Sequence, residues 1–327
     1  MAVTKGGGLR TVGTSHGDGL LAHQALMYRS KEEFLAGTVP FIRDGLDADD
    51  PIRIATTDRN TSWLRAELGA AARHVTFCEN SQWYGHPVRA LAALDRVVRA
   101  LGGGGRRPRI IREPLWTARP GSERKEWARH ESLVNAALAS ASVSFVCTYD
   151  SGVVASEVMA QVTRTHPELV IDGSLWPSPN YTDPAVFNAE CDRSPLPEPP
   201  SSALRLAFDC VGQLATLRAF MTSYATWAGA APQSVEQFVQ AVDEVATNAI
   251  EHGGESGVLR IWTGQRMISC EVRDTGVGLH DPLAGHLPPP PGRADLRGLW
   301  LARQFCDLVE VRSDPAGTTV RLHLALP

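Results

Sequence analysis

The sequence lacks several features that would assign it to a class of protein at first sight. Its 327 residues carry a net charge of −4, so there is no basic surplus of the kind expected for direct binding to nucleic acid. The first residues contain no apolar h-region typical of a signal peptide. No run approaches the ~20 apolar residues needed to cross a bilayer. We therefore expect a cytoplasmic protein that binds neither nucleic acid nor a membrane directly.

Two catalytic or metal-binding motifs are also missing. The six cysteines are scattered without a C-x-x-C pair, which argues against a zinc knuckle or a disulfide framework. We expect Cys147 and Cys270 to be small buried hydrophobic residues. No G-x-x-x-x-G-K-[ST] sequence occurs, which argues against P-loop ATP chemistry.

The apolar fraction of 43% and the charged fraction of 21% are those of a globular protein, and the length favours two domains.

A boundary between the two domains is visible in the segment SPLPEPPSSA, residues 194–203. Its prolines and serines cannot hold a helix or a central strand, so the segment is predicted to be a linker. Before it, strand-like runs alternate with helical patterns, which favours an α/β fold with a parallel sheet covered on both faces. The predicted strands are residues 52–59, 73–79, 108–116 and 141–150, and the predicted helices are residues 30–45, 62–68, 87–101, 125–140 and 155–166.

After the linker the order of elements changes. We expect a strand at residues 204–209, helices at 212–229 and 234–252, and a strand pair at 258–264 and 267–274. A proline-rich loop, residues 280–296, precedes a helix at 299–307 and strands at 308–313 and 318–326. This order indicates an α+β sandwich with helices on one face of a mixed sheet.

The second of these helices contains the sequence DEVATNAIEHG, in which Glu244 and Asn248 lie four residues apart. Apolar residues recur at three- and four-residue spacing along the same helix, and Glu244 and Asn248 fall ~40° apart on the arc turned away from that stripe. An E-x-x-x-N pair alone is most simply a solvated face. The motifs that follow it favour a binding site instead.

Three further weak motifs follow in a fixed order. DTGVG, residues 274–278, places a carboxylate at a strand end before two glycines, which suits a backbone that turns closely around a ligand. RGLWLA places Gly298 just before a helix, where backbone N–H groups can receive phosphate oxygens. AGTTV, residues 316–320, is a turn that enters a strand. Each motif alone would also suit an ordinary turn, but the four in this order form a specific combination.

In this order the motifs resemble the N-box, the two glycine boxes and the closing element of the GHKL ATP-binding fold, which gyrase, histidine kinases and MutL share. Residues 204–327 are most similar to the RsbW-type anti-sigma serine kinases. The resemblance implies that Asn248 holds Mg²⁺ on ATP, that Glu244 is the base for the attacking hydroxyl, and that Asp274 accepts from the adenine amino group.

The resemblance also assigns the small residues. Gly276 and Gly278 would let the backbone approach the base and the sugar, Gly298 would begin the helix that faces the phosphates, and Thr318 would support the network on the adenine side. The second glycine box departs from the family pattern, because Leu296 replaces its first glycine. The loop before that box has four consecutive prolines and is stiffer than a typical mobile lid. Because both departures could weaken closure on the nucleotide, we expect ATP binding more firmly than phosphoryl transfer.

The first half resembles the MEDS sensory domain, whose mark H-x-x-x-x-Y is matched by His23 and Tyr28. We expect these two residues to flank the start of a strand and to line a small pocket. The equally open alternative is that His23 caps a turn and Tyr28 is a core residue. Four further polar residues could line a pocket at the carboxyl edge of the sheet or could form local caps and ion pairs: Glu113, Asp150, His130 and Glu131. Local caps and ion pairs are favoured for His130 and Glu131.

Together these resemblances imply an RsbA-like regulator with a sensory domain at residues 15–172, a linker at 173–203 and an ATPase domain at 204–327. It would bind ATP and Mg²⁺, sequester a sigma factor and phosphorylate a serine or threonine of a STAS-domain anti-anti-sigma partner, and RsbW-like modules imply a homodimer. One alternative is an ATP-binding module that switches partners without kinase activity. A histidine kinase fragment is disfavoured, because it would need a histidine on the helix before the N-box helix and residues 212–229 contain none. An enzyme in the first half is also disfavoured, because no nucleophile–base pair is evident there.

Overall fold

The computed structural model describes residues 10–11, 20–80, 87–116, 121–264, 266–290, 292 and 297–327. Leu296, the departure in the second glycine box, lies outside these residues. The chain divides into two compact units, Met1–Gly85 with Ala93–Pro184 and His86–Ala92 with Ala185–Pro327. No helix among the described residues is both long and apolar enough to cross a membrane.

The first unit is built on an eight-stranded sheet in the order β1-β8-β7-β2-β6-β5-β3-β4. Neighbouring strands from β7 to β4 run parallel, whereas β8 is antiparallel to β7 and β1 is antiparallel to β8. The predicted α/β class with a largely parallel sheet is confirmed. The strands are β1 Arg10–Thr11, β2 Leu21–Tyr28, β3 Ile52–Ala55, β4 Thr76–Phe77, β5 Arg109–Arg112, β6 Val143–Asp150, β7 Glu168–Ile171 and β8 Ser174–Pro177.

Helices alternate with these strands. Local capping fixes where two of them begin, because the Ser30 hydroxyl accepts the Glu33 N–H at 3.2 Å and the Thr57 hydroxyl accepts the Asn60 N–H at 3.4 Å. The helices are α1 Lys31–Asp47, α2 Asp58–Leu68, α3 Pro87–Leu101, α4 Gly121–Ala137 and α5 Ser156–Thr165. Buried side chains from α1, β3, β5 and β6 form one apolar core, which includes Phe34, Ile42, Ile54, Ile111 and Val146.

The segment predicted as a linker, residues 173–203, contains regular structure. It includes β8, which pairs with β7 and β1 in the first sheet, and helix α6, Pro184–Arg193. Its proline-rich part, residues 194–203, contains no helix or strand. That part belongs to the second unit, in which Arg312 donates to the Ser194 carbonyl at 2.7 Å and Arg321 donates to the Pro197 carbonyl at 2.7 Å.

The second unit has a five-stranded sheet in the order β12-β13-β11-β10-β9. Each neighbouring pair is antiparallel, so the expectation of a mixed sheet was wrong, whereas the α+β class is confirmed. Because side chains alternate along each strand, one face of the sheet supplies the apolar core with the helices. The elements are β9 Leu204–Phe208, α7 Leu214–Trp227, α8 Pro232–Glu251, β10 Gly257–Gly264, β11 Met267–Arg273, α9 Arg297–Phe305, β12 Leu308–Asp314 and β13 Gly317–Ala325.

Candidate functional site

Helix α8 places Glu244 and Asn248 at the border between the core and the surface of the second unit. Phe238, Val242 and Val245 on the same helix are buried in the core, so its other arc is left half-buried. Asn248 lines a cavity of about 540 Å³, and its side-chain amide makes no hydrogen bond within the part of the chain that the structure describes. Glu244 lies one turn earlier and is not among the residues that line this cavity.

Asp274 follows the end of β11 and also lines the cavity. Its Oδ1 accepts the backbone N–H groups of Gly276 and Thr318, each at 3.0 Å. Its own backbone N–H donates to the Thr318 carbonyl at 2.9 Å. Its second oxygen, Oδ2, accepts no hydrogen bond from the described residues. The carboxylate is therefore held in one orientation with one acceptor left for a ligand, as a recognition group requires.

The glycines of the site mainly allow close packing. A Cβ on Gly298 would lie 2.7 Å from Asn248 Nδ2, so only glycine brings the first turn of α9 against that amide. Gly278 lines the cavity and has a φ of +81°, which favours glycine. Gly276 does not line it; a Cβ there would lie 2.7 Å from the His252 carbonyl oxygen and from Gly253 Cα. Its absent side chain lets two backbone segments meet.

The loop that follows β11 forms one wall of the cavity, with lining residues that include Leu283, Leu287, Pro288, Pro289 and Pro290. Asp281 Oδ1 accepts the Leu283 N–H at 2.8 Å, which fixes a turn at the start of the loop. A Cβ on Gly285 would lie 2.5 Å from Leu299 Cβ, so the loop packs directly on α9. The described part of the predicted proline-rich loop is therefore folded over the cavity.

Electrostatics distinguish Glu244 from an ordinary surface carboxylate. Partial burial raises the pKa of Glu244, the neighbouring Asp243 raises it further, and Arg297 opposes both effects. A carboxylate with a raised pKa is a better proton acceptor than an unperturbed one, provided that it is ionised at the working pH. The local environment of Glu244 therefore favours its protonated form more than that of an exposed carboxylate.

In the first unit, Tyr28 belongs to a buried hydrogen-bonded network. Its hydroxyl donates to Glu113 Oε1 at 2.9 Å and accepts from Asn60 Nδ2 at 2.7 Å. Asn60 Nδ2 also donates to Glu113 Oε2 at 2.9 Å. Burial raises the pKa of Tyr28, and Glu113 raises it further. Tyr28 is therefore a neutral residue of the interior that holds β2, α2 and the end of β5 together.

His23 lies on β2 as well, but its surroundings are separate from those of Tyr28. The two residues are an odd number of positions apart on one strand, so their side chains point to opposite faces of the sheet. The expectation that they line one small pocket at the start of a strand was therefore wrong. Burial, followed by the charge of Arg112, lowers the pKa of His23 to about 3, so this imidazole is neutral.

Around His23 the structure gathers residues that the sequence did not connect. Glu131 forms a buried ion pair with Arg112. This pair joins α4 to β5, so it is not a local pair within one helix. Cys147 is fully buried, as expected, but Arg112 Nε donates to its sulfur at 3.0 Å. Burial raises the pKa of Cys147 to about 12, so its sulfur is a thiol here. No short spacing in the sequence links these positions.

Comparison with known families agrees with this division of the chain. Residues 22–167 match the MEDS family, described as the methanogen/methylotroph, DcmR sensory domain. Residues 207–324 match the family of histidine kinase-like ATPase domains. A search of curated proteins finds no match.

Similar solved structures include two histidine kinases. The catalytic domain of the histidine kinase ThkA aligns with 13% identity and a TM-score of 0.26, over 37% of this chain and 95% of that one. The histidine kinase domain of a blue-light activated histidine kinase from Erythrobacter litoralis EL346 aligns with 15% identity and a TM-score of 0.26, over 52% and 81% of the two chains. These scores are too low to support an argument, so the assignment depends on the two family matches. The chain therefore combines a MEDS domain with a histidine kinase-like ATPase domain.

Proposed function

We propose that the cavity of the second unit binds ATP with Mg²⁺. The observation that carries this proposal is the arrangement of Asp274, whose Oδ1 is held by two backbone N–H groups while Oδ2 is left as an acceptor. An acceptor at this position suits the amino group of adenine and opposes guanine, which presents a carbonyl there. The volume of about 540 Å³ is within the range typical of nucleotide-sized ligands.

Two other residues that line the cavity suit a triphosphate and its metal ion. Asn248 offers an amide oxygen, a ligand that Mg²⁺ accepts. Gly298 lies in the first turn of α9 and lines the cavity, where the backbone N–H groups and the helix dipole favour negative charge. When bound, the ion would neutralise phosphate charge, and these residues would position it.

We further infer that the domain transfers a phosphoryl group to a serine or threonine of a STAS-domain partner and sequesters a sigma factor, acting in the cytoplasm. Glu244, with its raised pKa and its place one turn from Asn248, would accept the proton of the attacking hydroxyl. The resemblance of the four motifs to RsbW-type kinases and the pairing with a MEDS domain support this assignment. The MEDS domain would then supply the signal that alters the choice of partner.

A second candidate, ATP-dependent partner switching without phosphoryl transfer, is favoured by one observation. Glu244 does not line the cavity that contains Asn248 and Asp274, so its carboxylate would have to turn toward the nucleotide before it could act as a base.

Two measurements on the full chain test these functions separately. Calorimetric titration with ATP should show binding that weakens when Mg²⁺ is removed, and the Asn248→Ala variant should lose this dependence on Mg²⁺. Incubation with labelled ATP and a STAS-domain protein should label that partner, with label lost in Glu244→Ala and kept in the control Glu236→Gln, a change at an exposed position of the same helix. Binding without labelling would favour partner switching alone, and absence of binding would contradict both functions.

A further inference from the structure

Four buried side chains from distant parts of the sequence converge inside the first unit. His23 comes from β2, Glu131 from α4, Cys147 from β6, and His166 directly follows α5. Each is at most 2% exposed. Their ligand-type atoms all lie within 4.8 Å of one another. Imidazole nitrogen, thiolate sulfur and carboxylate oxygen are the donors that zinc binds in proteins.

Four of the six distances between these atoms are close to the edges of a coordination tetrahedron. Zinc bonds of about 2.0–2.3 Å to nitrogen, oxygen and sulfur give edges of roughly 3.3–3.7 Å. His23 Nε2 lies 3.4 Å from Cys147 Sγ and 3.5 Å from Glu131 Oε2. His166 Nε2 lies 3.7 Å from Glu131 Oε2, and Cys147 Sγ lies 4.0 Å from the same oxygen. A zinc ion could therefore reach all four atoms with small side-chain adjustments.

Hydrogen bonds on the far side of both imidazoles fix the tautomers that a metal requires. The Asn135 amide nitrogen donates to the Thr165 carbonyl at 2.7 Å, so its oxygen is the atom 3.0 Å from His23 Nδ1. His166 Nδ1 lies 2.9 Å from the Val162 carbonyl oxygen. Both Nδ1 atoms must therefore carry hydrogen, and both Nε2 atoms turn a lone pair toward the cluster. Metal-binding histidines are held in this way.

The remaining contacts show what would compete with a metal. Arg112 contacts Glu131 Oε2 closely, and its guanidinium lies 3.0 Å from Cys147 Sγ and 3.3 Å from His23 Nε2. The Tyr149 hydroxyl lies 3.4 Å from His166 Nε2. Glu131 Oε1 is buried and has no hydrogen-bond partner in the described part of the chain. A buried carboxylate oxygen without a hydrogen bond lowers the stability of the fold. The arginine thus satisfies the cluster only in part.

We propose that His23, Glu131, Cys147 and His166 bind one Zn²⁺ ion. The carboxylate and the thiolate balance its charge, and the Cys147 thiol releases its proton to solvent when the ion binds. Arg112 keeps its contacts with Glu131 and Cys147 as an outer partner and gives up its contact with His23. Since all four positions around the ion are protein atoms in a closed site, the ion stabilises the fold of the first unit and has no open position for a substrate. Magnesium and calcium are excluded because they prefer oxygen ligands.

Metal loading of the full chain tests this proposal. After loading with zinc or cobalt and removal of free metal, elemental analysis should give one ion per chain. The cobalt form should show a thiolate-to-metal charge-transfer band and the intense visible bands of tetrahedral coordination. Cys147→Ser should lose the charge-transfer band, whereas Cys210→Ser, a change at an exposed cysteine, should keep it.

A positioning variant and the wild-type chain cover the case in which Cys147→Ser does not fold. Asn135→Ala should weaken zinc affinity by roughly 10–100-fold, because it frees the His23 ring. A chelator should lower the thermal unfolding midpoint of the wild-type chain, and added zinc should restore it. A folded chain that retains no metal after loading, or a cobalt spectrum without sulfur character, would overturn the proposal.

Discussion

The two units of this molecule use polar side chains in opposite ways. In the first unit, His23, Arg112, Glu131 and Cys147 are each at most 2% exposed and contact one another. In the second unit, Asn248 and Asp274 line an accessible cavity, and no described residue forms a hydrogen bond with the Asn248 side-chain amide or with the Asp274 Oδ2 atom. One group of polar residues is enclosed by the protein, whereas the other leaves donors and acceptors open.

This difference separates a role in stability from a role in binding. An enclosed charge that loses its partner stays buried without compensation, so changes in the first cluster should destabilise the fold. Replacing the polar atom of a side chain that lines the cavity changes which ligand can bind, while the hydrogen bonds of the surrounding protein remain.

Removal of Arg112 should produce the largest loss of stability. In chelator, Arg112→Ala leaves the buried Glu131 carboxylate without its ion-pair partner, which should cost about 3–5 kcal/mol in the unfolding of the first unit. Denaturant unfolding followed by circular dichroism measures this loss. Arg43→Ala removes one partner of an exposed ion pair, 3.8 Å from Glu67, and should cost no more than about 1 kcal/mol. Equal losses in the two variants would contradict the assignment.

Asp274→Asn should affect binding rather than stability. The amide can keep the oxygen that accepts two backbone N–H groups, but it presents a donor where adenine also presents one. The loss of a charge-assisted hydrogen bond, about 1.5–3 kcal/mol, should weaken ATP binding by roughly 10–150-fold. Asp314→Asn is the matched control, since Asp314 Oδ1 accepts from the Ala316 N–H in a similar turn but does not line the cavity. Unchanged affinity in Asp274→Asn would remove Asp274 from the site.

Gly298→Ala should have a smaller effect on the same cavity. The new methyl group would lie 2.7 Å from Asn248 Nδ2, so the amide must move away from its position beside α9. We expect roughly tenfold weaker ATP binding, equivalent to about 1.4 kcal/mol, as measured by calorimetry. Gly264→Ala, at a position with no neighbouring atom within 4 Å, should leave the affinity unchanged. Normal affinity in Gly298→Ala would show that the position of Asn248 is not critical.

Glu244→Gln should give the smallest change in stability, and one that depends on pH. Because the pKa of Glu244 is raised in the folded state, ionisation of this group disfavours the fold as pH rises through that pKa. Above it, Glu244→Gln should be more stable than the wild type by at most a few tenths of a kcal/mol, since the side chain is partly solvated. The difference should vanish below about pH 4, the unfolded pKa.

Thermal unfolding of Glu244→Gln and the wild type across this pH range checks the sign. Glu236→Gln, a change at an exposed position of the same helix, is the control. A Glu244→Gln variant that is less stable than the wild type at neutral pH would show that the carboxylate stabilises the fold.

The general fold could be predicted from the sequence because hydrophobic periodicity is local. The alternation of strands and helices in the first half and the bounds of α3, Pro87–Leu101, are examples. Pairing partners were less accessible, since strand direction depends on distant contacts: the second sheet is antiparallel throughout its described pairs, and β8 joins the first sheet from within the predicted linker.

The two polar sites were not equally predictable. Asn248, Asp274, Gly278, Gly298 and Thr318 lie in short motifs, and all five line the same cavity. The cluster around His23 has no such motif, because its members come from separate strands and helices. The odd spacing of His23 and Tyr28 would have placed them on opposite faces had the whole segment been taken as a strand.

We propose that an adenine nucleotide completes the open polar groups of the second unit. Calorimetric titration of the full chain with ATP and with GTP, each in the presence of Mg²⁺, tests it most directly. We expect one ATP site per chain and binding of GTP that is at least tenfold weaker, because the guanine carbonyl would face the Asp274 carboxylate. Equal affinity for the two nucleotides, or no uptake of ATP, would contradict it.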